Sequence, residues 1–323
     1  MSASQRYVAS WFALLALSSV SMTIGNKLLM SSGTPITHQK HLVLLLQNLV
    51  AVTVLCSLVV FQIVRVAAVD RRQGLFLLWD SLVLVLQMWT SFEALHHLPV
   101  SATTVVRALA VPVIAWCEGL LLGVRLDRAQ HVCAWAVVGG AAAYAYEDFA
   151  TASRPPLAGY LWAGANLLTF ASNSVLDRMM MSTSDQTATG LSLLTQAFSL
   201  PICWVQGALV SGLSVETASA VLRSLDWPTV LALVLTGACA GALGSCYAQC
   251  YKIATATAVT MMGNTNKALS VLMSFAVFGA DLSAVQLSGL VTCLGATGAY
   301  SLISARQRDE RRDEQAPPKA KAA

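Results

Sequence analysis

The chain has 323 residues, of which 56% are hydrophobic and only 11% charged, with a formal net charge of +4. A soluble domain carries about 25% charged residues, because its surface must be covered with something polar. A soluble globular protein is therefore excluded, and lipid is the solvent for most of this chain.

A helix crosses the hydrocarbon core with about 20 apolar residues. Ten such runs follow one another, at 9–30, 40–63, 75–95, 100–122, 130–148, 157–179, 188–209, 229–250, 256–279 and 285–305. They are apolar throughout, without two-residue alternation, so the fold expected is an all-α membrane protein and not a barrel. The first run follows MSASQRYV directly and continues into IGNKLLM, longer than the apolar region of a signal peptide, and reads as a retained helix. The absence of a Ser/Arg-rich transit segment argues against a plastid or mitochondrial address.

All eight cysteines lie inside apolar runs and read as small packing residues. Cys246 and Cys250 are one turn apart, but no His or carboxylate stands beside them to complete a metal site. Neither metal nor cofactor is expected. The final stretch RQRDERRDEQAPPKAKAA mixes both charge signs and contains Pro-Pro, the composition of a disordered tail.

With ten spans both termini share one side. Loops and tail on that side hold fourteen Lys and Arg residues, against Lys40, Arg154 and Arg223 opposite. This bias puts both termini in the cytosol. An internal repeat lies beneath the pattern. GVRLDRAQ at 123–130 matches GADLSAVQ at 279–286, and at the same offset VVGGAAAY at 137–144 meets CLGATGAY at 293–300. NKLLM at 26–30 is echoed by DRMMM at 177–181. Five helices per copy is an odd number, so the second copy enters the membrane upside down. The expected organisation is two inverted five-helix repeats, 1–150 and 151–305, followed by a disordered cytosolic tail, 306–323. Inverted repeats are the architecture of many secondary transporters, with the substrate site at the repeat interface.

Cations inside a bilayer are expensive and mark function by default. Lys267 lies about twelve residues into its span, beyond easy snorkelling reach, in VTMMGNTNKALSVLM. Gly263 precedes it by one turn, and Asn264 and Asn266 add amide groups; together they suit a phosphate with a polar group attached. The alternative is a structural pairing of Lys267 with Glu118 or Glu93. Arg107 is a second candidate phosphate ligand, a guanidinium that otherwise reaches headgroups or Glu118. Lys27, beside Asn26, stands nearer a membrane face, where snorkelling competes with binding. Counted against the deep carboxylates Glu93 and Glu118, these cations leave a surplus that predicts an anionic cargo. His96-His97 reads as a solvated turn. No Gly-rich nucleotide loop, Ser/His/Asp set or zinc spacing supports an enzyme.

GNTNK at 263–267 resembles the Gly-Ala-Leu-Asn-Lys motif of the GDP-mannose group of nucleotide-sugar transporters, within the drug/metabolite transporter superfamily. VVRALAVPVIAWCEGLLLG is similar to that group's fourth helix, where a Lys usually stands at Arg107. GYLWAGANLLTFASNSVLDRMM resembles its sixth helix, and IGNKLLM its Asn-Lys near the end of the first, here Asn26 and Lys27. The resemblance implies a ten-helix antiporter importing a GDP-sugar into the Golgi lumen, or that of the ER, in exchange for GMP. It assigns Gly263, Asn266 and Lys267 to sugar and phosphate. The base-recognising Phe-Tyr-Asn-Asn motif falls on Leu193, Leu194, Thr195 and Gln196, so Thr195 and Gln196 are the candidate base readers. Departures there keep a UDP-sugar or sugar-phosphate exchanger open as the alternative. From other classes, an integral-membrane glycosyltransferase or a non-transporting scaffold compete. Expected partners are a nucleotide-sugar and its monophosphate, membrane lipid and a second copy of the chain, with no nucleic acid.

Overall fold

In the computed structural model, residues 3–31, 36, 39–98, 100–151, 157–278 and 283–315 are described. Among the described residues the secondary structure is helical, with no strand. Helices α1 (Ala3–Ser31), α2 (Lys40–Val60), α3 (Arg71–His97), α4 (Val100–Ala108) and α5 (Ala110–Leu121) are followed by α6 (Arg128–Thr151). Then come α7 (Leu157–Thr183), α8 (Ala188–Ser211), α9 (Val215–Arg223), α10 (Trp227–Ile253), α11 (Ala256–Phe278) and α12 (Ala284–Gln315). By length and composition, six stretches among the described residues are apolar enough to cross a membrane; one, Ala102–Leu121, joins α4 to α5. Large apolar side chains such as Leu17, Trp79, Trp116, Leu161 and Leu209 face outward, as lipid requires. The protein is an all-α, multi-pass membrane protein.

Local chemistry accounts for the irregular points. Between α4 and α5 the helix loosens at Leu109, because Pro112 has no N–H to give Ala108 and its ring crowds that carbonyl. Gly212, at φ +61°, ends α8 in the left-handed region. The apolar runs leave 210–228 as a connection, yet the structure places α9 there. Ser214 caps it by accepting from the Thr217 amide at 3.1 Å, with Glu216 in the first turn and Arg223 in the last. At the other end, α12 runs on through the first ten residues of the charged segment to Gln315, just ahead of Pro317-Pro318.

Packing follows a paired scheme. The most extensive contacts join α6 to α12 and α3 to α7; α1 packs on α10, and α2 on both α10 and α8. Small residues permit the closest approach. A Cβ on Gly289 would lie 2.5 Å from the Gly140 carbonyl oxygen, so α6 and α12 meet backbone to backbone. The largest apolar cluster draws Leu15, Ile114, Val175, Leu191, Tyr251 and Val259 from six helices.

Candidate functional site

A cavity of about 270 Å³ lies at the centre, walled by α1, α2, α3, α7, α8 and α10. Its wall is mostly apolar, with Leu84, Met88, Phe170 and Leu243, and a few polar groups: Gln87, Asn173, Ser174, Asp177, Thr195, Gln196, Tyr247 and Tyr251. That composition is typical of sites that bury a small organic ligand. Tyr247 and Tyr251 stack one turn apart on α10, ring centroids 6.1 Å apart.

Behind the wall, Asp80 of α3 is wholly buried and fully engaged. Asn173 Nδ2 donates to its Oδ1 at 3.1 Å, and the Thr195 hydroxyl to its Oδ2 at 3.3 Å. The adjacent Ser81 hydroxyl donates to the Thr195 carbonyl at 3.0 Å. These bonds fasten α3 to α7 and α8 and give Asp80 the partners a buried charge requires. Asp177 stands one turn beyond Asn173, and it faces the cavity.

Arg107 is anchored at another level of the bundle. Its Nε donates to Asn166 Oδ1 at 3.0 Å, and its Nη2 to the Ser91 hydroxyl. Asn166 in turn donates to the Gln87 carbonyl at 2.8 Å and the Thr90 hydroxyl at 3.1 Å. The titratable neighbour of Arg107 is the phenol of Tyr247, and among the described residues no carboxylate pairs with it. Glu118, the partner offered by the sequence, is used elsewhere. Its Oε1 accepts from the Ala256 amide at 2.6 Å, and its Oε2 from the Thr257 amide at 2.9 Å and hydroxyl at 2.6 Å. A buried carboxylate thus caps the first turn of α11, where amides lack intrahelical partners and the helix dipole favours negative charge.

The expected site residues divide between places. Thr195 and Gln196 line the central cavity, although the Thr195 hydroxyl is committed to Asp80. Gln196 Nε2 donates to the Ser192 hydroxyl at 3.2 Å. Gly263 reaches the cavity's edge, where a Cβ would lie 3.5 Å from the Tyr247 hydroxyl. Asn264, one position on, turns to a smaller cavity of about 50 Å³ with Thr104, Tyr144 and Cys293, between α4, α6, α11 and α12. Asn266 is wholly buried. Asn26 Oδ1 accepts from Gln47 Nε2 at 2.7 Å, which also donates to the Thr236 hydroxyl at 2.9 Å. Asn26 therefore joins α1, α2 and α10. The side chains of Lys27 and Lys267 lie outside the described residues.

The structure changes the balance of buried charge expected from the sequence. The cation surplus rests on two deep carboxylates, but Asp80 and Asp177 add two more inside the helices. The count no longer predicts an anionic cargo; what remains in its favour is the guanidinium of Arg107, which has no carboxylate partner among the described residues. The missed residues had a signal: Asn166, Asn173 and Asp177 follow at intervals of seven and four, one face of α7.

No protein-family model matches the chain. It is 22% identical over 306 residues to a protein of Scheffersomyces stipitis named GDP-mannose transporter, covering 91% of each chain. The chain is thus similar over most of its length to proteins named GDP-mannose transporter. GDP-mannose transporter 2 of Emericella nidulans is 26% identical, over 85% of this chain and 81% of its own. The Schizosaccharomyces pombe protein named GDP-mannose transporter is 21% identical, over 91% and 86%. A solved crystal structure shares the fold at a TM-score of 0.70 and 17% identity, covering 94% of this chain and 99% of that one.

Proposed function

We propose that this protein is a nucleotide-sugar antiporter of the Golgi membrane, carrying a GDP-sugar such as GDP-mannose inward in exchange for GMP. The observation that carries this reading is the central cavity, enclosed by six helices of a chain whose named relatives over 81–91% of their own length are GDP-mannose transporters. Helix packing supports an inverted repeat of five passes, with α4 and α5 as the fourth and α9 as an insertion. Under that relation α1·α10 has its counterpart in α3·α7, α2·α10 in α3·α8, and α4·α6 in α11·α12. The symmetry is incomplete. α10 closes on both α7 and α8, whereas α3 makes no comparable packing with α1 or α2 among the described residues. Unequal closure of related halves is what one state of an alternating-access cycle entails.

In this mechanism Arg107 and Lys267 neutralise the diphosphate, and Asn266 bonds sugar hydroxyls from α11. Gln196 contributes to reading the base, while Thr195 acts through Asp80. Exchange follows if the empty site reorients more slowly than the loaded one. The topology that accompanies this reading has both termini in the cytosol. Proteoliposomes preloaded with GMP should take up GDP-mannose faster than empty ones, and those preloaded with a neutral sugar should not. A better response to UMP would favour the UDP-sugar reading, and no counterflow with any nucleotide would overturn transport.

A further inference from the structure

Resting on that reading, we propose that Asp177 sets the specificity for guanine, its carboxylate accepting the paired N–H donors of the base's Watson–Crick edge. Asp80 and Asp177 sit close enough to interact, yet their surroundings differ. Asp80 has a donor on each oxygen. Asp177 lines the cavity, and among the described residues no hydrogen-bond donor meets its carboxylate. Two further acceptors at the cavity wall are unsatisfied among the described residues, Gln196 Oε1 and Gln87 Oε1. Gln196 is 8% exposed, so its carbonyl is an unsatisfied buried acceptor beside the cavity.

At Asp177 the wall therefore offers acceptor oxygens that no donor meets among the described residues, and an occupant seated there must supply the donors. Guanine presents N1–H and N2–H side by side, which a carboxylate accepts as two parallel bonds. Uracil offers one N–H flanked by carbonyls that a carboxylate repels. Adenine and cytosine each place an acceptor nitrogen beside their amino group, so the second bond is lost. The stacked Tyr247 and Tyr251 give the base an aromatic face on the same wall.

Position along α7 fits the rest of the ligand. Asp177 lies eleven residues beyond Asn166, which holds Arg107. That is about 16 Å along the helix axis. A base at Asp177 and phosphates toward Arg107 use the length of an extended nucleoside diphosphate, and they keep the two acidic groups apart.

Counterflow of GDP-mannose into proteoliposomes preloaded with GMP, IMP or XMP tests the assignment. IMP lacks the N2 amino group, and XMP turns a carbonyl toward the carboxylate. In the unmodified protein GMP should exceed IMP, and XMP should be weakest, by about 10- to 150-fold against GMP. Asp177→Asn presents one donor and one acceptor, which match the N1–H and C2 carbonyl of xanthine. The variant should lose GMP exchange by a comparable factor and gain XMP exchange. The proposal is overturned if IMP and XMP serve the unmodified protein as well as GMP, a result that needs no variant to fold. It is overturned equally if folded Asp177→Asn keeps the original order. In either case GMP exchange by the unmodified protein would leave the transporter reading standing, whereas loss of all counterflow would remove both.

Discussion

Arg107 of α4 and Asn166 of α7 are joined by a 3.0 Å Nε–Oδ1 hydrogen bond that aims a guanidinium without neutralising it. Asn166 has both amide protons placed on α3, at the Gln87 carbonyl and the Thr90 hydroxyl, so its orientation is fixed. An amide oxygen positions a charge that a carboxylate would cancel.

Arg107→Ala should lower GDP-mannose exchange by about 10- to 150-fold through loss of a charge-assisted phosphate contact. Arg107→Lys keeps the charge but not the planar fork that spans Asn166 and Ser91, and should fall between the two. Asn166→Leu removes the positioning bond while leaving the arginine, so exchange should drop with protein still folded. Initial rates at several GDP-mannose concentrations would show whether apparent affinity carries the loss.

Glu118→Ala should act on stability. It would strand the Ala256 and Thr257 amides and the Thr257 hydroxyl in a buried place. Unsatisfied buried groups cost about 1–3 kcal/mol each. Glu118→Gln retains one carbonyl acceptor and should recover part of the loss. Thermal unfolding in detergent orders the three proteins; equal midpoints would refute the cap.

Gly289→Ala tests the close crossing of α6 and α12. Its new methyl group would lie 2.5 Å from the Gly140 oxygen and the Tyr144 nitrogen, both backbone atoms that cannot swing away. A cost of about 1–3 kcal/mol is expected from overpacking. Gly295→Ala on the same helix meets nothing within 4 Å and should be neutral or stabilising, by up to about 1 kcal/mol.

What the sequence disclosed divides by the physics involved. Helical segments were legible because the cost of apolar surface and of unpaired backbone writes itself as run length. Helix α9 was not, since nine amphipathic residues leave no such run. Arg107 and Gln196 stood out as polar residues deep in apolar segments. Asp80 and Asp177 escaped notice because they lie near the ends of their runs, where a charge normally meets water. The divergence of Gly263 and Asn264 depends on the rotation of α11 against its neighbours, which spacing within one helix does not fix.

Lys267→Ala tests the lysine of GNTNK. Residue 267 follows Gly263 by one turn, the face on which Gly263 meets the Tyr247 hydroxyl at the cavity's edge. Of the two carboxylates offered as structural partners, Glu118 is occupied by the first turn of α11. Removing the lysine should therefore strand no acid at Glu118, and the variant's unfolding midpoint without ligand should match that of the unmodified protein. Its response to nucleotide should differ. A ligand at about 100 times its dissociation constant stabilises the native state by about 2.7 kcal/mol. Weakening GMP binding by about 10- to 150-fold removes most of that shift at the same concentration. Melting with and without GMP reads both quantities at once. A variant that melts early yet is stabilised normally by GMP would assign Lys267 to structure and take the phosphate from it.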